Sequence, residues 1–416
     1  MRAYVLHPDI KGGDHRRVPD GALAEAIALA AALPDIKVVG GQVVTLRAMQ
    51  PSTLLGSGKV KDMKAMFEAE DIGLVLVDGA VTPVQQRNLE KEWNVKLLDR
   101  TGLILEIFAD RARTREGVLQ VELAALSYQR TRLVRAWTHL ERQRGGLGFV
   151  GGPGETQIEA DRRAIDEAII RIKKQLAKVV KTRALHRAAR AKVPFPVVAL
   201  VGYTNAGKST LFNRMTGADV FAEDLLFATL DPTMRSVTLD TGQKIILSDT
   251  VGFISELPTQ LVAAFRATLE EVLGANLIVH VRDISHPESE QQAGDVAAIL
   301  ADLGVTRETP MLTLWNKIDQ VPEAERAALM IRAQRSADII PISALTGEGV
   351  DALVSGITEA LDGVRLEEDI ELGFDEGRRR AWLFGQNIVE HEHQSETGWT
   401  FSVRWTQRQR ESFNAL

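Results

Sequence analysis

Four short stretches of this chain carry residues whose types and spacing could do chemistry on a nucleotide. Gly202-Tyr203-Thr204-Asn205-Ala206-Gly207-Lys208-Ser209 fits GxxxxGK[ST]; it directly follows the apolar run at 197–201 and precedes an amphipathic stretch opened by Thr210. In such a loop the glycines let successive backbone N–H groups turn inward around the α- and β-phosphates. The lysine reaches the β/γ oxygens, and the serine hydroxyl ligates Mg²⁺. Asp249-Thr250-Val251-Gly252 ends a second apolar run in a DxxG arrangement, with the carboxylate holding Mg²⁺ through water and the glycine N–H sensing the γ-phosphate. Asn316-Lys317-Ile318-Asp319 ends a third run. The Asp319 carboxylate can accept hydrogen bonds from guanine N1–H and the exocyclic amine, donors that adenine does not present in that pattern. Asn316 would brace the loops and the Lys317 stem would cover a face of the base. Ser343-Ala344-Leu345, after a fourth run, supplies backbone N–H groups suited to guanine O6.

Each of these signals is weak alone, since NKxD also occurs as a helix cap. Four in order, each at the end of an apolar run, point to GTP and GDP with Mg²⁺, and over roughly 197–363 they resemble translational and Ras-like GTPases. Phe227-Ala228-Thr229-Leu230-Asp231-Pro232-Thr233 lies where a first switch belongs. Thr229 is the choice for the hydroxyl that closes on Mg²⁺, with Thr233 as the alternative. Lys208, Thr229 and Gly252 are the catalytic candidates. After Gly252 stands Phe253, at a position where Gln commonly orients the attacking water; a phenyl ring cannot do that, so another group has to help. Asn205 occupies the position at which similar GTPases place an asparagine that ligates K⁺. Its amide oxygen could hold that cation, or only bond the loop backbone.

The elements that must position these residues read as an α/β chain. Residues 1–111 alternate apolar runs with helical stretches, as expected of a small N-terminal parallel α/β unit. Residues 112–193 carry two helix seams, Leu119, Leu123, Leu126, Leu133, Trp137 and Leu140, then Ile158, Ile165, Ile169, Ile172, Leu176 and Val179, with Arg130 interrupting the first. Joined by the glycine-rich loop 145–154, they predict a long antiparallel hairpin. That loop reads either as a flexible connector or as a positively framed tip made for close backbone approach. Pro194 and Pro196 open the GTP-binding domain, a mostly parallel sheet over 194–363, and 364–416 reads as an acidic linker and a short C-terminal tail.

Bulk properties narrow the field. At 416 residues two or three domains are expected, and the lack of cysteine excludes disulfides, a Cys-ligated zinc and a thiol nucleophile. No apolar window reaches the ~20 residues of a membrane span, so a soluble cytoplasmic monomer is expected. The net charge of −6 hides segregation: between Ala168 and Lys192 there is no acid, while Arg171, Lys173, Lys174, Lys178, Lys181, Arg183, Arg187, Arg190 and Lys192 are all basic. Such a face is either solvated or made for RNA phosphates. Gly56-Ser57-Gly58-Lys59-Val60 could suggest a second nucleotide site, but it lacks P-loop spacing and has Val60 where Ser or Thr should bind Mg²⁺.

Several features together resemble the HflX family of ribosome-associated GTPases: FATLDPT at 227–233, DTVGF at 249–253, GGPGETQIE at 151–159 with Asp161-Arg162-Arg163, and Leu98-Asp99-Arg100-Thr101 followed by Ile107-Phe108-Ala109. The resemblance spans about 40–363. It implies GTP-dependent binding to the large (50S) ribosomal subunit and its rRNA, with the glycine-rich loop near the peptidyl transferase region and splitting of stalled 70S ribosomes under stress. An ATP- or GTP-dependent RNA-remodelling enzyme and a non-enzymatic GTP-controlled switch docking a protein partner are the alternative expectations.

Overall fold

The computed structural model describes all residues except 12–17, 144–152, 191–194, 219–225, 228–232, 240–241, 256–271, 306–308, 337, 363–365, 387, 396–397, 406 and 415–416. Thr229, with Ala228, Leu230 and Asp231, therefore lies outside the described residues, as does most of the glycine-rich loop.

The N-terminal unit is a four-stranded parallel sheet of β1 (Arg2–Ile10), β2 (Lys37–Leu46), β3 (Leu74–Val77) and β4 (Lys96–Asp99), in spatial order β2-β1-β3-β4. Its strands are apolar on both faces because helices cover both. Ala3, Val5, Leu74 and Leu76 face α1 (Pro19–Ala31) and α4 (Arg100–Arg111). The alternate residues Leu6, Val75 and Val77 face α2 (Ser57–Ala69) and α3 (Pro83–Trp93). Gly56 is the N-cap of α2 and residues 57–60 its first turn, so that segment opens a helix.

Two long helices follow, α5 (Arg115–Gln143) and α6 (Pro153–Arg190), packed against each other. Arg130, the break in the apolar seam, pairs with Asp166 across them at 2.8 Å. The foot of α5 is fastened to the N-terminal unit through Asp99. Its Oδ1 caps α4 by accepting from Gly102 N–H at 2.8 Å and also accepts from Tyr128 Oη at 2.6 Å, while Oδ2 takes Arg132 at 3.0 Å.

The third unit holds a six-stranded sheet in the order β10-β9-β8-β5-β7-β6, parallel except for β6. Its strands are β5 (Val197–Gly202), β6 (Thr233–Thr238), β7 (Lys244–Asp249), β8 (Leu277–Asp283), β9 (Met311–Asn316) and β10 (Ile339–Pro341). One face packs α7 (Lys208–Thr216) and α10 (Val350–Asp362). The other packs α8 (Ser289–Leu303), and its apolar residues run without a break into the core of the N-terminal unit: Tyr203, Phe227, Phe253 and Ile254 belong to the same cluster as Leu103, Ile107 and Phe108. α9 (Glu323–Gln334) lies between β9 and β10.

The stretch expected to be an acidic linker is instead β11 (Leu366–Gly373), an edge strand. It forms an antiparallel sheet in the order β11-β13-β12 with β12 (Val389–Gln394) and β13 (Gly398–Trp405). Ile370 and Leu372 turn inward toward Phe401 and Leu383, while Glu367, Asp369 and Glu371 face solvent. α11 (Gly377–Gly385) and α12 (Gln407–Asn414) close the core of this unit.

Candidate active site

All four sequence stretches lie at the carboxyl ends of parallel strands of the six-stranded sheet, where open α/β sheets hold their ligands. The GxxxxGK[ST] loop joins β5 to α7. Gly207 has φ +93°, and a Cβ there would stand 2.2 Å from Asn316 Nδ2, so no other residue lets the loop approach that side chain. Asn316 is the clasp of the site. Its Nδ2 donates to Ala206 O at 2.7 Å and its Oδ1 accepts the Ala344 N–H at 2.9 Å, tying the phosphate loop, β9 and the Ser343–Leu345 loop together. At 2 % exposure it contacts no bulk solvent, which agrees with a bracing role.

Lys208 is buried, and its Nζ donates to Tyr203 O at 2.8 Å and Gly202 O at 3.2 Å across its own loop. Burial pulls the ammonium down to about 8 against the attraction of Asp249. Beside it, Ser209 Oγ donates to Asp249 Oδ2 at 2.7 Å, so the serine and carboxylate expected to serve Mg²⁺ come together. These are hard oxygen donors, the set that Mg²⁺ prefers. Thr250 turns away, donating to Leu200 O at 2.7 Å. Gly252 sits so close that a Cβ would come within 2.8 Å of Thr204 Cα and 3.0 Å of Lys208 Nζ. Its N–H is thus carried at the mouth of the phosphate loop.

Asp319 lies exposed on the short 3₁₀ turn Ile318–Gln320, ready for a base, with Ile318 buried beneath it. Lys317 adopts φ +64°, and its Nζ pairs with Asp283 at 2.8 Å. Asn205 is exposed at φ +58°, and Thr233 starts β6 opposite Asp249. Phe227 sends its ring edge-on to Phe108 at 4.6 Å, joining the first-switch segment to the N-terminal unit.

Phe253 is buried and acts through its backbone: its N–H donates to Gly202 O at 3.1 Å and its carbonyl accepts from Thr204 N–H at 2.7 Å. Two residues on, Ser255 N–H donates to the Tyr203 hydroxyl at 2.7 Å. That hydroxyl donates to Glu25 of α1, and Glu25 pairs with Arg100. The Arg100 guanidinium also binds Asp78 and donates to Ser255 O at 2.9 Å. Burial alone would lower the Arg100 pKa, but Asp78 and Glu25 hold it above its ordinary value. Burial, then Glu25, pushes the Tyr203 phenol well up. Neither Tyr203 nor Arg100 carried a role in the residue spacing. The x positions of the loop motif tolerate any side chain, and Glu25 is 178 residues from Tyr203.

Among the described residues no group of His, Cys, Asp and Glu could hold a metal ion by itself, and no helix is long and apolar enough to cross a membrane.

The chain matches four family models in succession: GTP-binding GTPase N-terminal over 20–109, GTP-binding GTPase Middle Region over 111–190, 50S ribosome-binding GTPase over 197–317 and HflX C-terminal domain over 328–415. The last extends the resemblance into the tail, past the end assigned from motifs. GTPase HflX of Magnetococcus marinus is 54 % identical over 368 residues, covering 88 % of this chain and 84 % of that protein. GTPase HflX of Escherichia coli (strain K12) is 43 % identical over 378 residues, covering 90 % and 86 %. Among solved structures, the SsGBP and GDP complex superposes with a TM-score of 0.51 at 25 % identity, over 86 % of this chain and 98 % of that one.

Proposed function

This chain belongs to the HflX family of GTPases, and we propose that it uses GTP binding and hydrolysis to control a contact with the 50S subunit and its rRNA, splitting or rescuing stalled 70S ribosomes under stress. The observation that carries this reading is the Asn316 clasp, which holds phosphate loop and base-reading loop to one strand end in the arrangement a guanine nucleotide requires. The match of 197–317 to the 50S ribosome-binding GTPase model and the family relation support the ribosomal partner. The exposed residues Arg171, Lys173, Lys174 and Lys178 on α6 support an RNA contact on the hairpin.

In this reading the chain divides into residues 1–111, 112–193, 194–363 and 364–416. The backbone of 202–208 cradles the α- and β-phosphates, and Lys208 leaves its two carbonyls to reach the β/γ oxygens. Gly252 N–H meets the γ-phosphate, with Thr229 or Thr233 closing over it. Asp319 takes N1–H and the 2-amino group, and the 343–345 loop takes O6. Ser209, and Asp249 through water, would hold Mg²⁺, which would supply positive charge against the phosphates. K⁺ at Asn205 would add to that charge.

The test is co-sedimentation with 50S and 70S particles in a non-hydrolysable GTP analogue and in GDP, with turnover measured with and without ribosomes. Association in the analogue alone, faster turnover on ribosomes and a fall in 70S light scattering are expected. Association that ignores the nucleotide would overturn the proposal.

A further inference from the structure

Arg214 projects from α7, the helix whose first turn carries Lys208 and Ser209, yet neither the P-loop motif nor any other motif includes it. Its Nε donates to Ala344 O at 2.7 Å, and its Nη2 donates to the next carbonyl, Leu345 O. Gly347, at φ +97°, leaves room for the fork: a Cβ there would stand 2.6 Å from Nη1. The fork fixes two consecutive peptide planes.

In a trans peptide the C=O and the following N–H point in opposite directions, and no peptide bond of the described chain is cis. Pinning Ala344 O therefore aims the Leu345 N–H away from Arg214, and pinning Leu345 O aims the Thr346 N–H the same way. The second N–H ends on Ser343 Oγ at 3.1 Å. Ala344 N–H is taken by Asn316 Oδ1, and Gly347 N–H by Ser343 O at 2.8 Å. Among the described residues no acceptor takes the Leu345 N–H, and the Leu345 side chain is 68 % exposed, as expected for the lip of a pocket.

We infer that Arg214 is a positioning residue for base specificity: it orients the Leu345 N–H toward the 6-oxo group of the purine without touching the nucleotide. This rests on the reading of 343–345 as the loop that meets the base. It also joins the phosphate helix to the base loop through one side chain, so the two ends of the nucleotide are read by a single rigid unit.

The experiment measures the affinity of the full-length protein and its Arg214→Ala and Arg214→Lys variants for three diphosphates, those of guanosine, inosine and 2-aminopurine riboside, by calorimetry. Inosine keeps the 6-oxygen and lacks the 2-amino group, whereas 2-aminopurine has the amine without the oxygen. Arg214→Ala should weaken the guanosine and inosine nucleotides by the same factor, roughly tenfold for one lost hydrogen bond, and leave the 2-aminopurine nucleotide unchanged. Arg214→Lys, with a point charge in place of the fork, should recover part of the loss. Equal weakening of all three nucleotides would make Arg214 merely structural and overturn the inference, as would no change in any. If the unaltered protein does not distinguish guanosine from 2-aminopurine nucleotide, the assignment of the 343–345 loop fails first.

Discussion

Replacing Arg100 by Met tests whether the junction between the N-terminal unit and the nucleotide-binding sheet is electrostatic. Arg100 is 5 % exposed, and its partners Asp78 and Glu25 are 4 % and 10 % exposed, so its removal leaves two carboxylates and the Ser255 carbonyl buried without their cation. Breaking a buried pair from one side costs about 3–5 kcal/mol, much of it the charge left behind. At about 2–4 °C per kcal/mol for a cooperative unit of this size, the melting temperature should drop by roughly 6–20 °C. Adding Glu25→Gln and Asp78→Asn removes the stranded charges and should recover much of it. The pH dependence gives a second readout. Burial raises the Asp78 pKa, but the His7 hydrogen bond and Arg100 outweigh it, so the folded value lies below the ordinary 3.8. Its contribution is therefore present above 3.8 and is lost as pH falls through the lower folded value. Without Arg100 the His7 hydrogen bond alone opposes burial, the folded value rises from its depressed position, and the variant should approach the parent as the solution is acidified. Melting followed by circular dichroism from pH 7 to below the ordinary value of 3.8 measures this. A loss below about 2 °C at pH 7, a triple variant less stable than the single one, or a gap that widens in acid would refute the reasoning.

Three further outcomes bear on the nucleotide site. Asp319→Asn should weaken GTP about 100-fold or more by removing the acceptor of two guanine donors, and should shift preference to xanthosine triphosphate; unchanged GTP affinity in a competition assay would remove Asp319 from the base pocket. Lys208→Ala should abolish productive GTP turnover, with Ser209→Ala following it through lost Mg²⁺, while circular dichroism retains the helix and sheet signal; normal turnover in either would contradict the phosphate assignment. Exchange of K⁺ for Na⁺ at constant ionic strength should slow turnover, and Asn205→Ala should erase the difference while sparing binding; equal rates in both salts would leave Asn205 a loop residue only.

The loops proposed to meet phosphate and base were legible as strand-end patterns because each is fixed by backbone geometry: Gly207 must be glycine beside Asn316, and Asp249 must stand where β7 delivers it to Ser209. Contacts between units were not legible. Tyr203 sits at a position of the loop motif open to any residue, and what makes it a contact is Glu25 on a helix far upstream. Arg100 was noticed inside a family signature without its role, which depends on three elements meeting. β11 was misread because four acids in eight residues look like solvated linker; the period-two placement of Ile370 and Leu372 becomes decisive only once β13 supplies a paired partner. β8, the strand between β5 and β9, ends in no nucleotide motif and carries His280 and Arg282 within its apolar run, so nothing in the spacing singled it out.

The fork of Arg214 spans 131 residues of chain to reach Leu345. At about 5–20 residues per second, a ribosome makes the two ends roughly 7–26 s apart. The sheet suits such staggered delivery: β5 appears first at its middle, β6 and β7 add on one side, and β8, β9 and β10 then extend the other side in the order they are made. From β7 onward each new strand finds an edge already in place, while β6, made before β7, waits for it. In the proposed reading the nascent protein thus acquires its phosphate loop first, Asp319 later and the 343–345 loop last, so a chain halted before Leu345 lacks the backbone group assigned to the purine 6-oxygen.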